Sequence, residues 1–440
     1  MNKITYLLSA AVLSVTALLS IPQNSMAQVP KDITEFESHG IKVILRNTSV
    51  NDVVAAYLGF EGGLAYGETS NPTLAPLTAN VLAQSGSKNY PKEKYQTELA
   101  KLSTSISGSG TLYNTAFSLR TIAPNFNKAW DIFSDLILNP AFDETEFKTS
   151  SKQLINSIKA RASNPEGYTE FVLDSLWKGN SPLNRAPQVS DVEALSTGNL
   201  ADYINKLKER SRMVLVVVGK VSRQDLESKL ARFEALKQGT FKMAPMNKFA
   251  AMTSSQAHLM NRKLPTTYIA ARFPAPELGT KDWWAARVLT QILNKRLFDE
   301  VRTKRNLSYA PGSYATGTHN NFFGEISLQS ILPDSAISVV LRELQKLQTQ
   351  LVPTQELEDA KAGRITTYFF ILQTNLDQAR NLYTNLIESG DWRNLFRVTE
   401  ETNKVTATDV KRVANQYMHN LLFVTMGPEG AASQSKFKFN

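Results

Sequence analysis

Apolar residues recur at Phe126, Trp130, Phe133 and Ile137, and again at Ile337, Leu341, Leu344 and Leu347. Steps of three and four put each set on one face, so each predicts an amphipathic helix. A proline, Pro124 or Pro333, precedes each helix. A short alternating run precedes each proline and predicts a strand: Phe117-Ser118-Leu119-Arg120 in one case, Ile326-Ser327-Leu328-Gln329 in the other. Further upstream, residues 53–60 and 268–273 predict an early strand in each half, followed by a helix. Downstream, a second helix begins near Glu146 or Glu356, and each half closes on a strand-forming run, 214–219 (VLVVVG) or 421–427 (LLFVTMG).

The matching runs keep their order at an offset near 209 residues, which points to an internal duplication. Strands and helices in mixed order predict an α+β fold, a mixed sheet with helices packed on one face, made twice. Residues 238–264 are rich in Met, Lys, Ala and Ser without a sustained period and predict a linker. The expected division is therefore an export segment at 1–27, a first domain at 28–237, the linker, and a second domain at 265–440.

The export segment rests on Lys3, an apolar run at 6–21 and the small-residue site Ser25-Met26-Ala27. That run is short for a membrane span and has the grammar of a secretory signal cleaved before Gln28, so a periplasmic or secreted protein is expected. The chain has 440 residues and no cysteine, which excludes a thioether lipid anchor, disulfides and thiolate metal sites. Net charge is +9, but the basic residues are dispersed and no basic block interleaves with aromatics, so no nucleic-acid partner is expected. The four histidines, His39, His258, His319 and His419, stand far apart, and no Gly-x-Ser-x-Gly elbow is present.

The stretch Val301-Arg302-Thr303-Lys304-Arg305-Asn306-Leu307-Ser308-Tyr309 resembles the arginine/tyrosine element of the insulinase (pitrilysin) family of zinc metallopeptidases. The resemblance covers essentially the whole chain after the export segment and implies two tandem homologous α/β-roll domains that pair into a clamshell. In the family, Arg302 and Tyr309 would reach from the non-catalytic half and hydrogen-bond the carbonyl near the scissile bond. The family's zinc motif, His-x-x-Glu-His, is absent. Gly86-Ser87-Lys88-Asn89-Tyr90-Pro91 resembles the turn after the zinc helix. Counting back from it puts Leu77, Thr78, Ala79, Asn80 and Val81 at the motif positions. The distal region 153–158 (QLINSI) offers no glutamate for a third ligand.

The resemblance thus implies a non-catalytic subunit, inactive alone and without its own metal. It would bind peptide or unfolded protein and lend Arg302 and Tyr309 in trans to a His-x-x-Glu-His partner that holds the zinc. The alternative is a scaffold subunit that keeps the peptidase fold without a proteolytic role; such a subunit gains nothing from the arginine/tyrosine pair. Two weaker features remain. Residues 105–110 (SISGSG) resemble the strand and turn after the family's second helix and are expected to form a glycine-permitted bend. Residues 53–63 are either an ordinary sheet strand or an edge open to strand addition by a peptide.

Overall fold

The computed structural model describes residues 29–439, so the expected export segment 1–27 lies outside the described residues. Six strands come from the first half: β1 (Ile33–Ser38), β2 (Ile41–Asn47), β3 (Val53–Glu61), β4 (Ser105–Gly110), β5 (Asn114–Ile122) and β6 (Met213–Gly219). They lie in the order β1-β2-β6-β3-β5-β4. Five come from the second half: β7 (Gln256–Asn261), β8 (Thr267–Pro274), β9 (Gly312–Thr318), β10 (Asn321–Ser330) and β11 (Leu422–Gly427), in the order β7-β11-β8-β10-β9. Strand for strand the second sheet repeats the first without β1. In each, the closing strand pairs in parallel with the opening one (β2 with β6, β7 with β11) and antiparallel with its other neighbour. Tandem duplication is therefore a property of the topology as well as of the sequence pattern.

Every residue of β6 and of β11 is buried, which their near-continuous apolar sequences require of strands covered on both faces. On one face of the first sheet lie helices of the same half, Leu74–Ser85, Phe126–Leu138 and Thr197–Leu207. Trp130 and Phe133 are fully buried there, each contributing on the order of 2–3 kcal/mol by removal from water.

The opposite face of each sheet is covered by the other half. Helix Asn375–Ser389 lies across β3 and β6, so Tyr57, Val214, Val216 and Val218 share a core with Leu382, Tyr383 and Ile387. Reciprocally, helix Pro165–Lys178 lies across β8 and β11, where Leu173 packs against Ala270, Leu422 and Val424. The two domains exchange a helix, and their interface is part of the core.

One sequence expectation needs correction, and one alternative is decided. Gln256–Asn261, inside the expected linker 238–264, forms β7 and pairs in parallel with β11; 238–255 and 262–264 lack regular structure. β3 is not an edge: β5 and β6 hydrogen-bond it on either side. The edges of this sheet are β1 and β4; β4, a strand with the sequence SISGSG, pairs only with β5. Its glycines serve close approach. A Cβ at Gly108 or Gly110 would run into the backbone of Ala79 or Ala75, so β4 can lie directly against helix Leu74–Ser85.

Candidate functional site

Helix Leu74–Ser85 carries the five positions where the metal motif would stand. Leu77 and Val81 are sealed in the first core at 2% and 0% exposure. Thr78 is also buried, its hydroxyl without a partner, and Asn80 is exposed. Helix Glu144–Ala160, capped by Asp143 accepting from the Glu146 amide at 2.9 Å, packs against this helix. It presents Gln153, Asn156 and Ser157 to solvent. A zinc ion does not fit these residues: two hydrocarbon side chains and amides replace the imidazoles and carboxylates that zinc coordination needs. The histidines do not converge. His39 pairs with Glu234 at 2.6 Å, His419 donates to the Gln416 carbonyl at 2.8 Å, His258 is exposed on β7, and His319 sits in the β9–β10 turn.

The arginine and tyrosine are brought together. Helix Lys281–Leu297 starts at a Thr280 cap and ends in a wide π-helical segment, Phe298–Thr303. Asn306 then takes the left-handed conformation (φ +50°), which asparagine tolerates, and turns the chain back along the helix end. Buried Val301 and Ser308 anchor this turn, and their successors Arg302 and Tyr309 are left outside. The Arg302 guanidinium lies 4.3 Å from the centroid of the Tyr309 ring and 4.8 Å from that of Phe298. Tyr309 is 71% exposed. β9 follows this turn, starting at Gly312.

Neighbouring charges are already committed. Arg305 and Lys304 both pair with Glu300, whose carboxyl they hold down at about 2. Arg296 makes a two-pronged contact with Glu356 at 2.6 and 2.7 Å. The Arg302 guanidinium has no ion pair or hydrogen bond among the described residues, so its donors are uncommitted. Arg296 and Arg305, by contrast, are neutralised locally.

A second group of polar residues, at the seam between domains, was not anticipated. Tyr383 on the exchanged helix Asn375–Ser389 donates its hydroxyl to Glu61 at the end of β3 and accepts from Asn114 at 2.8 Å. Glu61 is 3% exposed, and burial pushes its carboxyl up to about 7. The His319 ring stacks on Tyr113 at 3.8 Å and burial holds it neutral, down to about 4. Glu388 accepts from Thr318 at 2.6 Å, and burial raises its pKa. Tyr57, Tyr113, His319, Tyr383 and Glu388 line a seam cavity of ≈ 520 Å³. The one sequence signal was Glu61 itself, a carboxylate at the end of an apolar strand.

The model for the insulinase family, peptidase family M16, matches residues 42–186, and that for the peptidase M16 inactive domain matches residues 194–364. The chain belongs to the insulinase family. The boundary between the two matches precedes β6, a central strand of the first sheet, so it does not coincide with the structural division. Among curated proteins, the chain is 23% identical to an uncharacterized zinc protease of Bacillus subtilis, covering 72% of this chain and 79% of that one. It is 24% identical to the mitochondrial-processing peptidase subunit beta of Blastocladiella emersonii, covering 83% and 87%. Among solved structures, a peptidase M16 inactive domain from Pseudomonas fluorescens superposes with a TM-score of 0.82 at 19% identity, covering 91% of this chain and all of that one. A periplasmic protease of Escherichia coli superposes with a TM-score of 0.78 at 14% identity, covering 98% of this chain but 49% of that one. These likenesses establish the insulinase fold. The loss of metal donors is read from Leu77, Asn80 and Val81 themselves.

Proposed function

We propose that this chain is the non-catalytic, peptide-holding subunit of an exported heterodimeric zinc peptidase. A partner chain with His-x-x-Glu-His would hold the zinc and activate the water; this chain would close over it as the other half of a clamshell and present Arg302 and Tyr309. The observation that carries the reading is the Arg302–Tyr309 pair: stacked together, with Tyr309 exposed, Arg302 half-buried and no competing ion pair on Arg302 among the described residues. A guanidinium and a phenol held side by side supply two donors for a developing oxyanion. The Escherichia coli protease, about twice as long as this chain, supports a functional unit of two such lengths, and as a periplasmic protein it supports the same location here. The free β4 edge, beside the helix of the vanished metal site, is where an extended peptide could add a strand.

The test is reconstitution. The isolated chain is expected to hold no stoichiometric zinc and to cleave no peptide. Mixed with an exported His-x-x-Glu-His chain from the same cell, it should form a complex and raise peptide hydrolysis. Full activity of the partner alone would favour the scaffold reading instead.

A further inference from the structure

Helices Lys281–Leu297 and Thr354–Phe370 run antiparallel and close together: Arg296 meets Glu356 at one end, and Gly363 faces Gln291 further along, where an added Cβ would lie 3.1 Å from the Gln291 amide nitrogen. Next to that close approach stand Arg287 and Arg364. Arg364 is 9% exposed and, among the described residues, has no ion pair or hydrogen bond; its Nε is buried without a partner. Arg287 has one hydrogen-bond partner among the described residues, the backbone oxygen of Ala315 on β9, and lies 5.5 Å from the centroid of the Trp283 ring. No carboxylate accompanies either guanidinium. Burial holds Arg287 down to about 10, and burial together with Arg287 holds Arg364 down to about 9, so both remain cations at neutral pH. Two like charges withdrawn from water without a counter-charge are costly, and a site of this kind is completed by an anion.

The duplication gives the pair its place. Arg287 stands seven residues beyond the Thr280 cap, as Asn80 stands seven beyond Thr73. Arg364 stands ten residues beyond Thr354, as Leu154 stands ten beyond Glu144. The helix pair that carries the vanished cation site in the first domain therefore carries two fixed cations in the second. Through Ala315 the pair adjoins β9, whose outer edge is unpaired and which starts three residues after Tyr309.

We propose that Arg287 and Arg364 form a carboxylate pocket that takes an acidic side chain or the free C-terminus of a peptide lying along β9. Guanidinium groups match a carboxylate in a forked geometry that a lone lysine cannot offer. The assignment rests on the peptide-holding reading above and adds a preference for acidic ligands to it.

The experiment uses the full chain and three fluorescent peptides of one apolar sequence: one with a free C-terminus, one amidated with an internal glutamate, and one amidated without an acidic residue. At least one carboxylate peptide is expected to bind tenfold or more tightly than the neutral one, and which one does so identifies the source. Arg364→Met should erase that preference, leave the neutral peptide's affinity unchanged, and melt no lower than the wild type because it removes an unpaired buried charge. Arg287→Gln should also erase it. Equal binding of all three peptides, a preference that survives both variants, or a lowered melting midpoint in Arg364→Met overturns the pocket while leaving the peptide-holding reading intact. Binding of none of the three overturns that reading, and the pocket's peptide occupant with it.

Discussion

The Tyr383 hydroxyl, carried by a helix of the second domain, donates to the Glu61 carboxylate at the end of a strand of the first. It is one of several polar contacts across the seam, beside Arg46–Gln378, Asn51–Asn375 and Arg272–Asp174, and Glu61 leaves its second oxygen without a partner. This makes the domain interface sensitive to protonation in a direction that can be worked out.

Glu61 is raised to about 7 from an ordinary 4.5, so its stabilising neutral form is fully present below 4.5 and is lost as pH rises through 7. His319 is lowered to about 4 from 6.5, so its neutral form is fully present above 6.5 and is lost as pH falls through 4. Each effect is on the order of 3 kcal/mol across its window, and where the windows overlap they oppose each other. Melting midpoints across pH 4–8 should separate them. Glu61→Gln is expected to gain on the wild type as pH rises from 4.5 to 7, and His319→Asn to gain as pH falls from 6.5 to 4. Parallel curves for all three proteins would show that neither group titrates in the seam.

Gly108 and Gly110 let β4 touch helix Leu74–Ser85. Gly108→Val should destabilise the first domain by about 1–3 kcal/mol through overpacking, measured by denaturant unfolding. The same substitution at Gly179, where nothing lies within 4 Å of an added Cβ, tests the left-handed backbone alone (φ +53°).

Writing the zinc motif back into the helix should not restore a metal site. Leu77→His and Val81→His place imidazoles where the structure buries hydrocarbon, at about 1–3 kcal/mol each, and helix Glu144–Ala160 supplies no third ligand near Ser157. The triple variant Leu77→His, Asn80→Glu, Val81→His is expected to melt earlier than the wild type. Metal analysis after dialysis should find no stoichiometric zinc.

Much of the fold was legible because its periods are strong. The all-apolar β6 and β11 sequences, and the helices beginning at Phe126 and Pro333, lie where their patterns put them. β7 was hidden because Gln256–Asn261 is a partly exposed edge strand with little apolar signature. The choice between edge and interior for β3 stays open in the sequence because its partner β6 lies some 160 residues downstream, and pairing at that range leaves no local trace. The exchange of helices Pro165–Lys178 and Asn375–Ser389 is likewise a tertiary relationship. Arg302 and Tyr309 could be named from a motif, but their stacking depends on the π-helical turn and on the left-handed Asn306. Arg287 and Arg364 carry no motif, and their lack of counter-charges is visible only in three dimensions.

Arg302 bears most directly on the central claim. Peptide hydrolysis by the His-x-x-Glu-His partner should be measured with wild-type chain and with Arg302→Ala at saturating concentrations of each. The account predicts that wild type raises the partner's rate and that Arg302→Ala forms the complex but loses most of the gain, on the order of 10²-fold. Equal stimulation by the two proteins, or hydrolysis by this chain with no partner present, would contradict it.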